Sequence, residues 1–160
     1  AKNTGKDIDV HIDQENNPEE QDTEWFMDAA AEAGLQGRVT LVHAISVACQ
    51  VEKDRKRIYD KIKDNGFNVT VCPWAAIGMK QHKDKMAPVH NSIAQVDEMF
   101  EAGINVSVGT DNISDIFVPE DRGDLFEEII LLASACRFYD VEKLAQIATK
   151  NGAKTLKLDY

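Results

Sequence analysis

The sequence predicts an α/β fold of four β-α units whose strands run parallel. Strand candidates rich in Val, Ile and Thr recur about every thirty residues, the length of one β-α unit. A helical pattern with its own start and stop signals separates each strand from the next. None of the strands shows the apolar-in, polar-out alternation of a sheet with one wet face, which fits strands covered on both sides. Regular β-α alternation with no inserted hairpin implies right-handed crossovers.

The strands are expected at residues 7–12 (DIDVHI), 39–44 (VTLVHA), 68–73 (NVTVCP) and 105–111 (NVSVGTD), each bounded by Gly, Asn, Asp or Pro. The first helix should start at Asn17-Pro18-Glu19-Glu20, with Asn as N-cap, Pro at the first position and acids in the first turn. It should run to Ala33, before Gly34. Further helices are expected near residues 50–64, 92–101, 124–137 and 141–151, stopped by Asn65-Gly66, by Gly103 and, for the last, by Gly152. Residues 74–91 form the one irregular stretch and hold Met79, His82, Lys83 and Met86. Trp25 and Phe26 are read as packing residues. A chain of 160 residues, 43% hydrophobic and 29% charged, suits one domain, 1–160, with a real core.

A formal net charge of −10 argues against nucleic-acid binding and against docking on anionic lipid. No apolar run approaches the ~20 residues that cross a membrane, and no secretory leader opens the chain. Cys49, Cys72 and Cys136 make neither a C-x-x-C pair nor a zinc-ribbon spacing, so they are read as small core residues in a reducing compartment, the cytoplasm. Cys72-Pro73-Trp74 lacks the second Cys and the H-x-E of a zinc nucleobase deaminase. Gly109 has no phosphate loop around it, and Ser46 and Ser107 have no nucleophile elbow. Glu127-Glu128 is read as a solvated helix face.

The strand ends carry the chemistry. Strand one ends with His11, strand two with His43 and strand four with Asp111. In α/β barrels the C-terminal edge of the strands is where the active site sits. One histidine near a strand end, or one Asp after Gly-Thr, is as easily explained by packing or capping. Three at equivalent places point to a shared site, and imidazole with carboxylate suits Zn²⁺ or Fe²⁺. Trp74 also follows a strand end, where it either lines a substrate pocket or packs its loop.

Four stretches, DVHIDQ (9–14), GRVTLVHA (37–44), MFEAGINVSVGTDNISDIFVP (99–119) and IATKNGAKTLKL (147–158), are spread in order over nearly the whole length of the chain. In them the chain resembles the C-terminal half of an amidohydrolase-superfamily barrel, in the branch of cytosine deaminase and N-isopropylammelide amidohydrolase. The resemblance implies half of a TIM-type (β/α)8 barrel, strands five to eight. It also implies a deaminase-like hydrolase that uses one divalent metal, Zn or Fe, to cleave a C–N bond of a small nitrogen heterocycle. In that reading His11 is a metal ligand, and Asp111 is both a ligand and the catalytic proton acceptor. His43 is the catalytic histidine beside the substrate, and Asn112 faces the substrate. Gln14 occupies the position where cytosine deaminase carries a catalytic, substrate-binding glutamate.

There are two departures. Gln14 cannot carry a proton, and strand alternation points Asp13 and Glu15 elsewhere. The family's His-x-His, which supplies two more ligands, is missing, and the remaining histidines are His82 and His90. Two ligands hold zinc weakly. Four strands are half of a closed barrel, with two open edges and an apolar inner face. Such a chain is expected to associate, as a homo-oligomer or with an N-terminal half, and to be a poor catalyst alone. The alternative is a non-catalytic half-barrel.

Overall fold

A computed structural model describes residues 1–88 and 93–159. The elements follow as β1 (Ile8–Ile12), α1 (Asp22–Glu32), β2 (Val39–His43), α2 (Ile45–Ala48), α3 (Glu52–Asp64) and β3 (Asn68–Val71). Then come α4 (Pro73–Gly78), α5 (Val96–Glu101), β4 (Asn105–Val108), α6 (Leu125–Cys136), α7 (Val141–Ala148) and α8 (Lys150–Thr155). The four strands form one sheet in the order β1-β2-β3-β4, and every neighbouring pair is parallel.

The two faces of the sheet differ in chemistry. Ile8, Val10, Ile12, Val39, Leu41, Val69, Val71, Val106 and Val108 all join one aliphatic cluster. Met27, Ile58, Ile62, Met99 and Leu132 of the helices complete it. This is where burial drives folding, at roughly 25 cal/mol per Å² of apolar surface. The opposite face is largely polar: the register aligns Asp9 with Thr40, His11 with Val42, Asn68 with Asn105, and Thr70 with Ser107. Its bonds run from Asn105 Nδ2 to Asn68 Oδ1 at 2.9 Å and between the Thr70 and Ser107 hydroxyls at 2.9 Å. The apolar inner face expected from the sequence is therefore absent from this sheet. Alternate residues of these strands are Asp, His, Asn, Thr and Ser, and the pleat gathers them on one side.

The two edges differ as well. At β4 the outward carbonyl of Val106 accepts from Asn151 Nδ2 at 2.7 Å, and Thr155 Oγ1 lies 3.2 Å from Ser107 Oγ, so α8 covers this edge. At β1, Asp9 and His11 are exposed, and the strand alternates where the sequence reading expected both faces covered. All five residues of β2 are buried.

Several helix boundaries are corrected. Asn17 does not cap α1. Its side chain closes a turn by accepting from Glu19 N at 3.1 Å, and α1 starts at Asp22. The cap comes from Asp13, whose Oδ2 accepts from Thr23 N at 3.1 Å. The stretch read as irregular contains α4, with Pro73 in its first turn. The closing helix breaks at Thr149 (φ −133, ψ −88), and Gly152 lies inside α8. The predicted start at Ser92, and His90, lie outside the described residues. Trp25 is 65% exposed and packs little, whereas Phe26 joins the core. Among the described residues, no helix is long and apolar enough to cross a membrane.

Candidate active site

Three strand exits leave regular geometry in the same way. Asp13 (φ 49), His43 (φ 77), Ala44 (φ 51) and Asp111 (φ 65) all occupy the left-handed region. Side-chain-bearing residues hold it at a cost of about 1–3 kcal/mol each, and such positions cluster at functional sites. At His43 the consequence is visible. Its register partner is Ile12, whose side chain belongs to the aliphatic face, yet its ring reaches His11 on the polar face.

His43 Nε2 lies 3.2 Å from His11 Nδ1 and 3.2 Å from Asp111 Oδ2, while His11 Nδ1 and Asp111 Oδ1 are 4.0 Å apart. The two rings meet edge to face, with centroids 5.0 Å apart. Among the described residues this is the one group of three donors placed to hold a metal ion. Tetrahedral bonds of ~2.1 Å put neighbouring donors ~3.4 Å apart, so the three separations fit a single small divalent ion. Its two nitrogens and one oxygen are the donor types Zn²⁺ and Fe²⁺ accept.

The His43 side chain is 3% exposed, Asp111 19% and His11 46%. Burial pushes the His43 pKa down to about 4; Asp111 pulls it back up, and His11 adds to the fall. The imidazole is therefore neutral near pH 7, a form that can ligate a metal or hydrogen-bond a substrate beside one. Its Nδ1 is buried without a partner.

A cleft of about 1090 Å³ opens over this cluster, and Gln14, Glu15, His82 and Asn112 line it with His43 and Asp111. His11 opens onto an adjoining groove that shares Gln14 and Glu15. The strand alternation that pointed Glu15 away stops at Ile12, because Asp13 turns the chain. Glu15 Oε2 meets His82 Nε2 at 2.6 Å across the cleft mouth. Asp13 itself is buried as the α1 cap, and burial raises its carboxyl above the ordinary range. Asn112 Nδ2 donates to Asp115 Oδ2 at 2.5 Å, and Asp115 Oδ1 accepts from Phe117 N and Val118 N at 2.8 and 2.9 Å. Gly109 is explained by close approach: a Cβ there would lie 3.3 Å from Thr70 Cγ2 and 3.5 Å from Cys72 Sγ.

Trp74 is not among the cleft-lining residues. It packs against Val42, Cys72, Ala75 and Val118 and borders a separate shallow groove with Glu120 and Arg122, because α4 turns it away. Glu128, read as solvated, is 0% exposed, and its Oε2 accepts from Trp74 N at 3.0 Å. The signal was its spacing: it stands four residues before Leu132, on the buried side of α6. The three cysteines are free, and burial pushes the thiols up, to about 11 at Cys49 and about 12 at Cys136.

The Amidohydrolase family matches residues 1–160. A pterin deaminase from Rhizobium rhizogenes (strain K84 / ATCC BAA-868) is 24% identical over 98% of this chain and 36% of its own length. An N-isopropylammelide isopropyl amidohydrolase from Pseudomonas sp. (strain ADP) is 25% identical, over 99% and 37% respectively. The structure of a 5-methylcytosine deaminase from Klebsiella pneumoniae superposes with a TM-score of 0.85 at 24% identity, over 96% of this chain and 38% of that one. That last likeness is one of fold, and it makes the sheet half of a (β/α)8 barrel. The chain thus spans little more than a third of the length of these relatives. With the family match running from the first residue to the last, the chain belongs to the amidohydrolase family.

Proposed function

We propose that this chain is the catalytic C-terminal part of a metal-dependent hydrolase that releases ammonia or an amine from a small nitrogen heterocycle. The observation that carries the reading is the meeting of His11, His43 and Asp111, from three separate strand exits, within 4.8 Å of one another beneath a cleft. Pterin, 5-methylcytosine and N-isopropylammelide, in the names of the relatives, are all nitrogen heterocycles.

A divalent cation, Zn or Fe, held by His11 and Asp111, supplies when bound a drop in the pKa of water from ~16 to ~7. Asp111 accepts the proton that the attacking water gives up. His43, kept neutral by burial, hydrogen-bonds the charge that develops on the substrate. Gln14 and Asn112 offer amide donors and acceptors to a ring edge and move no proton. A substrate recognised this way presents alternating ring nitrogens and exocyclic groups.

The partner we propose is an N-terminal half of the barrel, which pairs along the open β1 edge and closes at β4 once α8 leaves that edge and the Asn105 and Ser107 side chains it covers. A second copy fits poorly, since two chains that each carry a net charge of −10 repel one another as wholes. Three free thiols held protonated suit a reducing compartment such as the cytoplasm. One observation favours the second reading, a non-catalytic half-barrel: among the described residues, no fourth donor joins the three.

The test compares the chain alone with the chain co-expressed with an N-terminal amidohydrolase half. Metal content and ammonia release from aminopterins and aminopyrimidines are measured for both. One ion per complex and turnover abolished by Asp111→Asn are expected. A completed barrel that stays metal-free and inert would overturn the hydrolase reading.

A further inference from the structure

Glu128 and Asp121 stand outside the chemistry proposed above. Glu128 is 0% and Asp121 1% exposed, and their carboxyls lie within hydrogen-bonding reach of each other. Each keeps one buried oxygen without a partner, Glu128 Oε1 and Asp121 Oδ2. The remaining oxygens are occupied: Glu128 Oε2 accepts from Trp74 N, and Asp121 Oδ1 accepts from Gly123 N at 2.7 Å. Among the described residues, no cation pairs with either carboxyl. Arg122, the nearest in sequence, is exposed and faces Glu127 at 3.9 Å. The groups that act on the Glu128 carboxyl add no positive charge. They are the Trp74 N–H of α4, the Cys72 thiol just beyond β3, and, in the loop after β4, the Asp121 carboxyl and, through its charge alone, Asp111. Two neighbouring carboxylates without counter-charge are not stable out of water, whereas one proton between them satisfies both orphaned oxygens.

We infer that Glu128 and Asp121 share a single proton, and that this pair is the positioning clamp that holds the first turn of α4 against the β4–α6 loop. Both parts so joined build the cleft. From α4 come Ala75 and Gly78, and from the loop come Asn112, Phe117 and Val118. The main-chain carbonyl of Asp121 binds Ser114 twice, from N at 2.8 Å and from Oγ at 2.7 Å, so the clamp extends into the segment that follows Asp111. Burial, with the charges of Asp121 and Asp111, pushes the Glu128 pKa up to about 8. The clamp is therefore closed at neutral pH and loosens in mild alkali, when the second carboxyl ionises.

The test needs neither metal nor substrate, so it stands or falls apart from the hydrolase reading. On the whole chain, carboxyl-carbon NMR follows Glu128, and amide exchange, corrected for the intrinsic pH dependence, follows Trp74. Wild type should show Glu128 titrating near pH 8 and Trp74 protection falling about tenfold from about pH 7 to about pH 9. Glu128→Gln, whose amide accepts from Trp74 and donates to Asp121, should keep its protection at both pH values. Glu128→Ala should lack protection at either. Glu128 titrating in the ordinary carboxylate range would overturn the inference, as would wild-type protection that does not change with pH. Exchange in Glu128→Gln as fast as in Glu128→Ala would also refute it.

Discussion

His11, His43 and Asp111 converge from three strand exits and aim their donor atoms at a cleft, while Asp121 and Glu128 come from one loop and the helix after it and aim at each other. The first cluster is graded in exposure, from a His43 side chain at 3% to a His11 side chain at 46%, so solvent or a ligand can reach it. The second is sealed. Both take ionisable groups out of water, and the difference lies in what relieves the cost. At the strand tips a neutral imidazole and an adjoining acid leave room for an external cation. Behind α4 the relief is internal, one carboxyl giving up its charge. An opening for a ligand, more than burial or a shifted pKa, separates a candidate reaction centre from a structural clamp.

The sharpest way to break that contrast is to remove charge from each cluster. In the barrel completed by an N-terminal half, Asp111→Asn should lower ammonia release by about 10²–10⁴-fold, the range of a lost proton acceptor, and reduce metal content. The urea midpoint of the chain alone should move little, because this carboxyl holds no part of the core. Glu128→Ala should do the reverse. It leaves the Trp74 amide and a buried Asp121 oxygen unpartnered and opens a cavity, so unfolding should be easier by about 2–4 kcal/mol. If both substitutions changed stability equally, the distinction between the clusters would be lost.

One cluster is plain in the sequence and the other nearly hidden, for a physical reason. β-Branched runs closed by Gly, Asn and Pro mark the strands, and a polar residue at the tip of a parallel strand is conspicuous against them. His11, His43 and Asp111 were legible on that basis, although the left-handed turn that swings His43 across the sheet was not. Glu128 carries only the weak signal of its spacing before Leu132, because an acid on a helix is ordinarily solvated. What hides it is a backbone amide fifty-four residues earlier in the chain and an unpaired carboxyl in the preceding loop. The start of α1 failed similarly. Asn17-Pro18 is a strong local signal, but Asp13 does the capping from ten residues upstream, and Glu20 is held by the Ser46 hydroxyl at 2.6 Å. Local propensity lost to a side chain delivered by the end of a strand.

Stability against pH sharpens the contrast further. Glu128 rises from an ordinary 4.5 to about 8 in the fold, so the folded chain binds this proton more tightly than the unfolded one. Its contribution is fully present below about pH 4.5, declines as pH rises toward about 8, and is constant above that. The decline is at most about 1.4 kcal/mol per pH unit. Other carboxyls, such as Glu24 beside Arg57 and Lys61, are held below their usual range and contribute the opposite slope at lower pH. The measurement is therefore the difference in urea midpoint between wild type and Glu128→Gln across that window. The gap should widen in favour of the variant as pH rises. Parallel curves would show that Glu128 carries no displaced proton.

Asp13 supplies the intermediate case. Like Glu128 it is buried, at 5% exposure, and desolvation together with the charges of Glu20 and Asp22 raises its pKa. Like Glu128, too, its carboxyl accepts from an amide in the first turn of a helix, here Thr23 N of α1, where the helix dipole favours a negative group. The cap depends on an acceptor oxygen, which asparagine retains, and only secondarily on charge. Asp13→Ala should therefore cost about 1 kcal/mol and Asp13→Asn less than half of that, read as shifts in urea midpoint at neutral pH. Amide exchange at Thr23 should accelerate in the alanine variant alone. Equal losses in both variants would mean that the charge, not the hydrogen bond, secures the β1–α1 turn and the Gln14 that follows it. Asp13 would then belong with the charged strand tips and not with the neutral clamp.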